Sequence, residues 1–306
     1  MSKIVVIGSI NMDLVNQVKT HPLPGETIHS LGITYNPGGK GANQAVAASL
    51  VGGDVTMIGA VGTDPFGIEL IASLERYDVR ADSILEIEGT SGMAFITVDL
   101  AGENSIILSA GANGKVSESD VDAALPVIIE AGAVLLQNEI PLETTLRALR
   151  EAHKAGSTVY FNPAPAIKLS TEVLSLINVI ILNETEAEEI TGIHVENELK
   201  AQQAALKLLE AGVDTVVLTL GSKGSLHLNK DGHLILTPAF KVQSVDTTAA
   251  GDTFIGTFAV ANESGMSLED ALKFASAAAA ITVTRKGAQA SIPNRQELEQ
   301  FLMIHS

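Results

Sequence analysis

The chain has 306 residues, of which 46% are hydrophobic, so it can bury the core of one large domain or of one domain with a smaller appendage. Its 36 acidic residues outnumber 19 basic residues and give a net charge of −17, which argues against a nucleic acid or an anionic membrane as partner. The absence of cysteine excludes disulfides, thiolate zinc sites and cysteine nucleophiles. Small molecules are the expected partners.

The N-terminal stretch MSKIVVIGSINMDLV does not have the features of a targeting segment. It carries one basic residue and a short β-branched run that glycine, asparagine and aspartate soon interrupt. Such a run is too short and too polar for a signal peptide or a membrane span. We therefore expect a soluble, cytoplasmic protein.

Short β-branched runs alternate along the chain with longer helical patterns. The predicted strands are Lys3–Ile7, Val55–Gly59, Ala133–Gln137, Thr158–Asn162, Val179–Leu182 and Thr215–Thr219, and the predicted helices include Lys40–Leu50, Leu142–Ala155 and Leu199–Ala211. This alternation predicts an α/β fold with a doubly wound, mostly parallel sheet flanked by helices.

Two segments interrupt the alternation. Residues 11–36 and 91–108 show strand, turn and strand signals with no helix between them. We expect them to pair into a small antiparallel β-sheet that acts as a lid. Residues 1–10, 37–90 and 109–306 then form the main domain, which binds nucleotide and sugar.

Several common catalytic motifs are missing. In NPGGKGAN, Lys40 is followed by Gly41, where a Walker phosphate loop needs serine or threonine. The first strand ends in GSINMD, which is not the Gly-x-Gly-x-x-Gly fingerprint of a dinucleotide fold. The sequence has no Gly-x-Ser-x-Gly elbow, and its seven histidines lack metal-ligand spacing. These patterns argue against histidine-centred catalysis and against an oxidoreductase.

The first polar patch follows the first strand. Asn11 and Asp13 alternate, so both side chains can point to one side of an extended segment, and the carboxyl end of a parallel strand faces the usual ligand crevice. Asp13 could there accept hydrogen bonds from two hydroxyls. The alternative is an Asx turn that only ends the strand.

The second patch is NPGGKGAN. Gly38 and Gly39, followed by Lys40 and Asn43, give a flexible approach to a helix N-terminus whose free N–H groups can meet a polar ligand. The two glycines could also act as a lid hinge. The alternative is an ordinary glycine-rich turn that leads into a helix.

The third patch lies in the middle of the chain. Glu139 follows an apolar strand and could accept a hydrogen bond from a sugar hydroxyl. Asn183 and Glu186 are one helical turn apart and could hold magnesium through water. The alternative is that acids in a first helical turn only stabilise the helix dipole.

The fourth patch combines TLGSKGS and VDTTAAGDTF. The small residues Gly221, Ser222 and Gly224 permit a nucleotide to approach closely. The stretch from Ala249 to Gly251 presents backbone N–H groups to a phosphoryl group, and Asp252 is placed to take a proton. The alternative is that Asp252 is an ordinary acid in the first turn of a helix.

The motifs GGKGANQAVAASLVGGDVTMIGAVG and DTTAAGDTFIGTF resemble the two signatures of the ribokinase-type (PfkB) carbohydrate kinase family. GSINMD, PGET, QNEIPLE, NETEAE, TLGSKG and VTRKGAQASIP fit the same family, in the expected order from residue 4 to about residue 293. The resemblance implies transfer of the γ-phosphoryl group of ATP to the 5-hydroxyl of D-ribose, with magnesium and a monovalent cation, usually potassium.

The resemblance also implies roles for individual residues. Asp252 would be the catalytic base, and the anion hole would consist of Ala249, Ala250 and Gly251. The sugar would be bound by Asn11, Asp13, Gly39, Lys40, Asn43, Glu139 and Asp252. The nucleotide would be bound by Asn183, Thr219, Leu220, Gly221, Ser222, Lys223, Gly224, Gly251 and Ser276. Glu186 would hold magnesium through water, and potassium would be bound by Asp246, Thr248, Thr282, Arg285, Gly287 and Ser291. Ser276 departs from the family, which often has asparagine or histidine there.

The lid segments narrow the substrate. A sugar phosphate would call for basic residues, yet these segments offer mainly Lys19 and no arginine; a nucleoside would favour stacking, yet only Tyr35 and Phe95 are available. The resemblance then selects ribose, with deoxyribose, fructose or a nucleoside as alternatives. A non-catalytic protein that binds sugar or nucleotide is a further alternative. Exposed edges of the lid favour a homodimer in which two lids cover one another.

Overall fold

The computed structural model describes residues 3–305, so residues 1, 2 and 306 of the predicted main domain lie outside the described residues. The strands are β1 Lys3–Ile7, β2 Asn11–Gln17, β3 Gly32–Gly38, β4 Asp54–Gly62, β5 Arg80–Ile87, β6 Gly92–Val98, β7 Asn104–Ser109, β8 Ala133–Gln137, β9 Thr158–Asn162, β10 Val179–Asn183, β11 Thr215–Thr219, β12 Ser225–Asn229 and β13 Leu234–Thr237. The helices are α1 Lys40–Leu50, α2 Pro65–Arg76, α3 Glu118–Ala123, α4 Leu125–Ile129, α5 Leu142–Ala155, α6 Thr171–Leu174, α7 Glu184–Thr191, α8 Glu198–Glu210, α9 Ala250–Glu263, α10 Leu268–Thr282 and α11 Arg295–His305.

Nine strands form the main sheet in the order β13-β12-β11-β10-β9-β8-β1-β4-β5. The strands from β11 to β5 are parallel, and β12 and β13 add an antiparallel edge. The predicted doubly wound, mostly parallel sheet is therefore confirmed. β1 lies between β4 and β8, so the strand order reverses beside β1, which is where open parallel sheets bind ligands.

The strand sequences bury both faces of this sheet. In β1, Ile4 and Val6 belong to a core on the side of α1, α9 and α10, while Val5 and Ile7 belong to a core on the side of α5 and α8. Successive side chains of a strand point to opposite faces, which explains why a run of apolar residues serves two helical layers.

Helix α1 packs unusually close to β1 and α9. A Cβ atom on Gly41 would lie 2.8 Å from the Gly8 carbonyl carbon, and one on Gly256 would lie 2.4 Å from the Gln44 carbonyl oxygen. Because neither glycine has a side chain, the backbones can touch. This contact brings the first turn of α1 against the first turn of α9.

The second sheet has four strands in the order β3-β2-β6-β7. The two hairpins, β2–β3 and β6–β7, are antiparallel as predicted, but β2 and β6 pair in parallel. Each of these two strands is the first of its hairpin and enters from the main sheet, β2 after β1 and β6 after β5, so they run in the same direction. The small sheet is therefore mixed at its centre.

Within the described part of the chain, no helix is both long and apolar enough to cross a bilayer.

Candidate active site

The site forms where the carboxyl ends of the parallel strands meet the start of α9. A cavity of about 220 Å³ lies there, lined by Lys40, Asn162, Ile181, Leu182, Asn183, Glu186, Thr219, Thr247, Ala249, Gly251, Asp252 and Ile255. Residues from five distant parts of the sequence thus share one small space. Asp13 and Glu139 are near enough to Asp252 for their charges to interact.

Asp252 is the buried carboxylate at the centre of the site, with 8% of its surface exposed. Its Oδ2 accepts a hydrogen bond from Asn43 Nδ2 at 3.0 Å, and its Oδ1 accepts one from Gln44 Nε2 at 3.1 Å. Burial raises the pKa of Asp252, while the Lys40 ammonium and the two amides act in the opposite direction. The carboxylate is held in one orientation but stays more basic than an exposed aspartate.

The turn before α9 presents backbone donors beside this carboxylate. Ala249 has a positive φ of 62° and caps the helix without a side-chain hydrogen bond. The Ala250 N–H points back to the Thr247 carbonyl at 3.3 Å. The N–H groups of Ala249, Gly251 and Asp252 have no hydrogen-bond partner among residues 3–305. The N-terminus of a helix with free N–H groups attracts an anion.

Of the three residues predicted to form the anion hole, Ala249 and Gly251 have N–H groups without a partner among residues 3–305. Ala250 lies in the turn as expected, but its N–H is already used within the turn. The free donors come from the residues on either side of it, and they include the amide of Asp252 itself.

Asp13 lies on β2 with 7% of its surface exposed. Burial, together with the charges of Glu139 and Asp252, raises the pKa of Asp13 to about 7. A Cβ atom on Gly38 would lie 2.2 Å from Asp13 Oδ2, so this glycine makes room for the carboxyl group. A carboxyl group so placed gains from a ligand that donates hydrogen bonds.

Glu139 and Asn11 are fixed by neighbours in the same crevice. Glu139 Oε2 accepts hydrogen bonds from Ser9 Oγ at 2.5 Å and from the Lys40 backbone N–H at 3.2 Å. Asn11 Oδ1 accepts a hydrogen bond from Asn113 Nδ2 at 2.7 Å. The crevice is thus organised by hydrogen bonds within the protein.

The loop before α1 approaches β2 closely. Gly39 has a φ of 91°, and a Cβ atom there would lie 2.7 Å from the Asn11 backbone nitrogen. Asn43, in the first turn of α1, keeps its Oδ1 buried without a hydrogen-bond partner within the described residues. An unpartnered buried oxygen is costly, and a donor from a ligand would remove the cost.

Lys40 supplies the positive charge at this place. Burial lowers the pKa of its ammonium group, but three surrounding carboxylates raise it, and the net shift is upward. They belong to Asp252, Glu139 and Glu186. Lys40 therefore stays charged and offsets the repulsion between the acids.

Glu186 and Asn183 form a capping box at the start of α7. Glu186 Oε2 accepts a hydrogen bond from the Asn183 backbone N–H at 3.0 Å, and the Asn183 side chain accepts one from the Glu186 N–H at 2.8 Å. Burial raises the pKa of Glu186. Glu186 Oε1 has no hydrogen-bond partner in residues 3–305. Glu186 therefore caps α7 through Oε2, and its Oε1 is available to a ligand in the cavity.

A groove of about 650 Å³ continues from the cavity. Of the predicted nucleotide residues it is lined by Asn183, Thr219, Gly221, Ser222, Gly224, Gly251 and Ser276. Its other walls were not predicted, and they include Phe240, Val242, Phe254, Ala279, Ala280 and Val283. The groove is mostly apolar with backbone and small side chains at one end, which suits a nucleotide.

Leu220 and Lys223, which were also predicted to bind the nucleotide, do not line this groove. Their side chains line a separate cavity of about 230 Å³ on the far side of the loop. Lys223 Nζ lies 3.3 Å from Glu184 Oε1 there. The turn takes this shape because Gly221 and Gly224 adopt φ values of 54° and 104°. Of residues 219–224, Thr219, Gly221, Ser222 and Gly224 line the groove.

The predicted potassium residues are partly brought together. Asp246 Oδ1 accepts hydrogen bonds from the Thr248 N–H and hydroxyl at 2.9 and 2.7 Å, and its Oδ2 accepts one from the Gly287 N–H at 3.0 Å.

The side chains of Thr282, Arg285 and Ser291 are engaged elsewhere. They bind the Ala278 carbonyl, Glu297 and the Ala288 carbonyl respectively. Arg285 could therefore reach a cation only through its backbone oxygen, whereas the hydroxyls of Thr282 and Ser291 are donors that keep lone pairs on oxygen. No cluster of three or more histidine and acidic residues that could hold a metal occurs among residues 3–305.

Five buried polar residues that support the site were not predicted. Gln137 Nε2 donates to Gln44 Oε1 at 2.7 Å and continues the hydrogen-bonded row from Asp252 to β8. Ser9, Asn113 and Asn162 complete the set. One signal was available: Gln44, Gln137 and Asn162 are polar residues within or at the end of strongly apolar runs.

Comparison with known proteins gives consistent results. Residues 1–295 of the chain match the family described as pfkB family carbohydrate kinase. A ribokinase of Haemophilus influenzae is 43% identical over 300 residues, which cover 98% of each chain. A deoxyribokinase of Salmonella typhi is 36% identical over 304 residues, 99% of each chain. The structure of Arabidopsis thaliana ribokinase with ribose and ATP superimposes with a TM-score of 0.92 at 34% identity and covers 98% of each chain.

Proposed function

Because the chain belongs to the pfkB family of carbohydrate kinases, we propose that it transfers the γ-phosphoryl group of ATP to the 5-hydroxyl of D-ribose and forms ribose 5-phosphate. The enzyme is a phosphotransferase with an alcohol group as acceptor. The observation that carries the proposal is the position of Asp252, a fixed buried carboxylate in the smaller cavity beside three free backbone N–H groups, next to Gly251, which lines both cavities.

In the proposed reaction, ribose lies in the crevice between β2 and α1. Asp13 and Glu139 accept hydrogen bonds from its hydroxyls, and Asn43 offers its unpartnered Oδ1. ATP lies in the 650 Å³ groove with its phosphates directed toward the start of α9. This arrangement directs the 5-hydroxyl toward both Asp252 and the γ-phosphorus.

Asp252 then takes the proton of the 5-hydroxyl as the hydroxyl oxygen attacks the γ-phosphorus in line. The bond from phosphorus to the β–γ bridging oxygen breaks, and ADP leaves with that oxygen. The free N–H groups of Ala249, Gly251 and Asp252 stabilise negative charge on the transferred group. Lys40 adds positive charge at the same place. Positioning and electrostatics supply most of the rate enhancement.

Magnesium fits the oxygen-rich wall of the smaller cavity. Glu186 Oε1 and the Asn183 side chain face that space, and hydrated magnesium prefers such oxygen ligands. The bound ion would neutralise phosphate charge. This assignment rests on the side-chain oxygens in the cavity that could act as ligands of magnesium or of its bound water.

A monovalent cation, usually potassium in this family, fits the loop around Asp246. Asp246, Thr248 and Gly287 already form one hydrogen-bonded unit, and this unit lies next to the anion-binding turn. A cation there would brace the turn through Asp246 and through carbonyl oxygens of Thr282, Arg285 and Ser291. Its effect would be on turnover more than on sugar affinity.

The four-stranded sheet is proposed as a lid and as the contact of a homodimer. One row of cross-strand neighbours carries apolar side chains on the same face: Tyr35, Leu14, Phe95 and Ile107. Tyr35, Phe95 and Ile107 are exposed. An apolar sheet face of this kind is covered when two copies meet. A cytoplasmic location, where ATP is available, remains our expectation.

The decisive experiment measures ADP formation with purified protein, ATP and magnesium. Ribose, 2-deoxyribose, fructose and a nucleoside are compared, each with potassium and with sodium. We expect the highest kcat/KM with ribose and a higher kcat with potassium. A preference for 2-deoxyribose would assign the activity of the Salmonella relative instead. ADP formation that no sugar increases would favour a non-catalytic binding protein.

A further inference from the structure

The nucleotide groove includes an apolar slot. Phe240 lines it together with Ala279, Ala280 and Val283 at the end of α10. A purine base is planar and apolar on its faces, so such a slot suits it. This interpretation rests on the proposed function, in which the groove holds ATP.

Phe240 lies on a segment that the backbone does not hold in place. Residues 238–244 connect β13 to the turn before α9 and have no regular secondary structure. None of these seven residues makes a backbone hydrogen bond within the described chain; the first such bond joins the Val245 N–H to the Val283 carbonyl at 2.7 Å. The position of the Phe240 ring must therefore come from side-chain packing.

Phe240 packs against the main core, and the C-terminal helix α11 provides its aromatic contacts. The Phe240 ring meets Phe301 edge to face, with ring centroids 5.2 Å apart, and it meets His305 at 6.2 Å. Phe301 and His305 are stacked on one another at 4.1 Å, as residues one helical turn apart can be. His305 Nδ1 lies 2.9 Å from the Phe301 carbonyl oxygen, which fixes the imidazole on this face.

We propose that α11 positions the nucleotide base: the stacked pair of Phe301 and His305 holds Phe240 against the slot. Neither residue lines the groove, so both are positioning residues that act through Phe240. Without them, the segment around Phe240 becomes ordered only when the nucleotide binds, and the cost of ordering lowers nucleotide affinity. The chemistry at Asp252 and the sugar crevice are unaffected.

The test is a set of α11 variants studied by steady-state kinetics and by calorimetric titration with ADP. Phe301→Leu and His305→Ala keep an apolar or small side chain but remove a ring. We expect each to raise the KM for ATP and the Kd for ADP by about 3- to 10-fold, the usual contribution of an aromatic contact. The kcat and the KM for the sugar stay unchanged. His305→Phe keeps the stacked ring and restores the wild-type affinity for ADP.

Ile304→Ala is the matched control. Ile304 lies on the same helix with 78% of its surface exposed, and its truncation should leave ADP affinity unchanged. An unchanged ADP affinity in folded Phe301→Leu and His305→Ala would overturn the proposal. So would an equal loss in the Ile304 control, or a parallel loss of kcat and sugar affinity.

The same experiments separate this inference from the proposed function. Calorimetry measures nucleotide affinity without any sugar and without turnover. If wild-type protein binds ADP but phosphorylates no sugar, the kinase assignment fails, while the comparison of the α11 variants still decides the role of the helix. If wild-type protein binds no nucleotide, both fail.

Discussion

The sugar end and the nucleotide end of the site are built from different chemical groups. The sugar end holds charged side chains in a buried place: Glu139 and Asp252 act on the Lys40 ammonium, and their charges also act on the Asp13 carboxyl group. The nucleotide end is built from glycines, alanines and backbone N–H groups, with the aromatic rings of Phe240 and Phe254. Ligand binding at the sugar end should therefore depend on the protonation of its side chains, and ligand binding at the nucleotide end on the shape of the groove.

This difference predicts different sensitivities. Buried charges interact strongly and their pKa values move, so substitutions and pH changes at the sugar end should alter catalysis or sugar affinity. Backbone donors have no titratable side chain, so the nucleotide end should respond mainly to added or lost volume. Substitutions and pH changes at each end of the site test this contrast.

Asp252→Asn removes the proposed base and should lower kcat by a factor of about 10² or more, with sugar affinity nearly kept. The fold should survive because Asn43 can rotate its amide and accept a hydrogen bond from the new amide group through Oδ1, which has no partner among the described residues. Steady-state kinetics and calorimetric titration with ribose measure the two quantities separately.

Asp270→Asn is the matched control for Asp252→Asn. Asp270 is also an acid in the first turn of a long helix, but it is exposed. Its substitution should leave kcat unchanged. Normal turnover by the Asp252 variant would mean that this carboxylate is only a helix-start acid, and the sugar end would lose its catalytic role.

Asp13 should make sugar binding depend on pH near neutrality. Its pKa is raised to about 7, and the ionised form is the one that accepts hydrogen bonds from two hydroxyls. We expect the KM for ribose to rise about 10-fold from pH 8 to pH 6, in proportion to the loss of the ionised form. Asp13→Asn should bind ribose weakly with little change over this range. A flat profile in the wild-type protein would contradict the assignment.

The same carboxyl group should affect stability in the opposite direction. Folding raises its pKa from 3.8 to about 7, so its contribution to the folded state is complete below pH 3.8 and is lost as the pH rises toward 7. Ribose that binds the ionised form should therefore raise the Tm more at pH 8 than at pH 6. Thermal unfolding with and without ribose, in wild type and Asp13→Asn, measures this difference.

Gly251→Ala tests the dependence on shape at the nucleotide end. A Cβ atom at this position meets no protein atom within 4 Å, so the protein alone should fold with an unchanged or slightly higher Tm. The added methyl group would stand where the phosphates approach, and kcat/KM for ATP should fall by roughly 3- to 10-fold.

Gly38→Ala gives the contrasting result at the sugar end. Here a Cβ atom would lie 2.2 Å from Asp13 Oδ2, so the substitution should impair sugar binding and lower the Tm. Thermal unfolding of both ligand-free variants, followed by kinetics, distinguishes the two glycines. Equal destabilisation by both substitutions would remove the distinction between the ends.

The sequence was most informative where local patterns and the fold agree. Runs such as KIVVI and AVLLQ predicted β1 and β8 with their observed bounds, since a strand buried on both faces must be apolar throughout. Asp252 could be proposed because a carboxylate next to backbone N–H groups that suit a phosphoryl group is placed to take a proton. Its hydrogen-bond partners could not be proposed, since Gln44 and Gln137 meet only after α1 packs against the sheet.

The remaining differences between the sequence-based predictions and the structure arise where the direction of a strand or side chain depends on tertiary contacts. The parallel pairing of β2 with β6 depends on where both hairpins leave the main sheet, which no short pattern encodes. The side-chain direction of Lys223 depends on two glycines with positive φ. A motif read as one unit, TLGSKG, thus divides its residues between two cavities.

Lys223→Ala tests this last point and should have the smallest effect. Its ammonium group faces Glu184 across an exposed ion pair and not the phosphates, and an exposed pair contributes about 0–1 kcal/mol to stability. The KM for ATP should therefore stay unchanged, and the Tm should change little. A large rise in the KM for ATP, with an unchanged Tm, would show that Lys223 turns toward the nucleotide when it binds. A charged side chain would then recognise the phosphates, and the contrast between a charged sugar end and a backbone-built nucleotide end would fail.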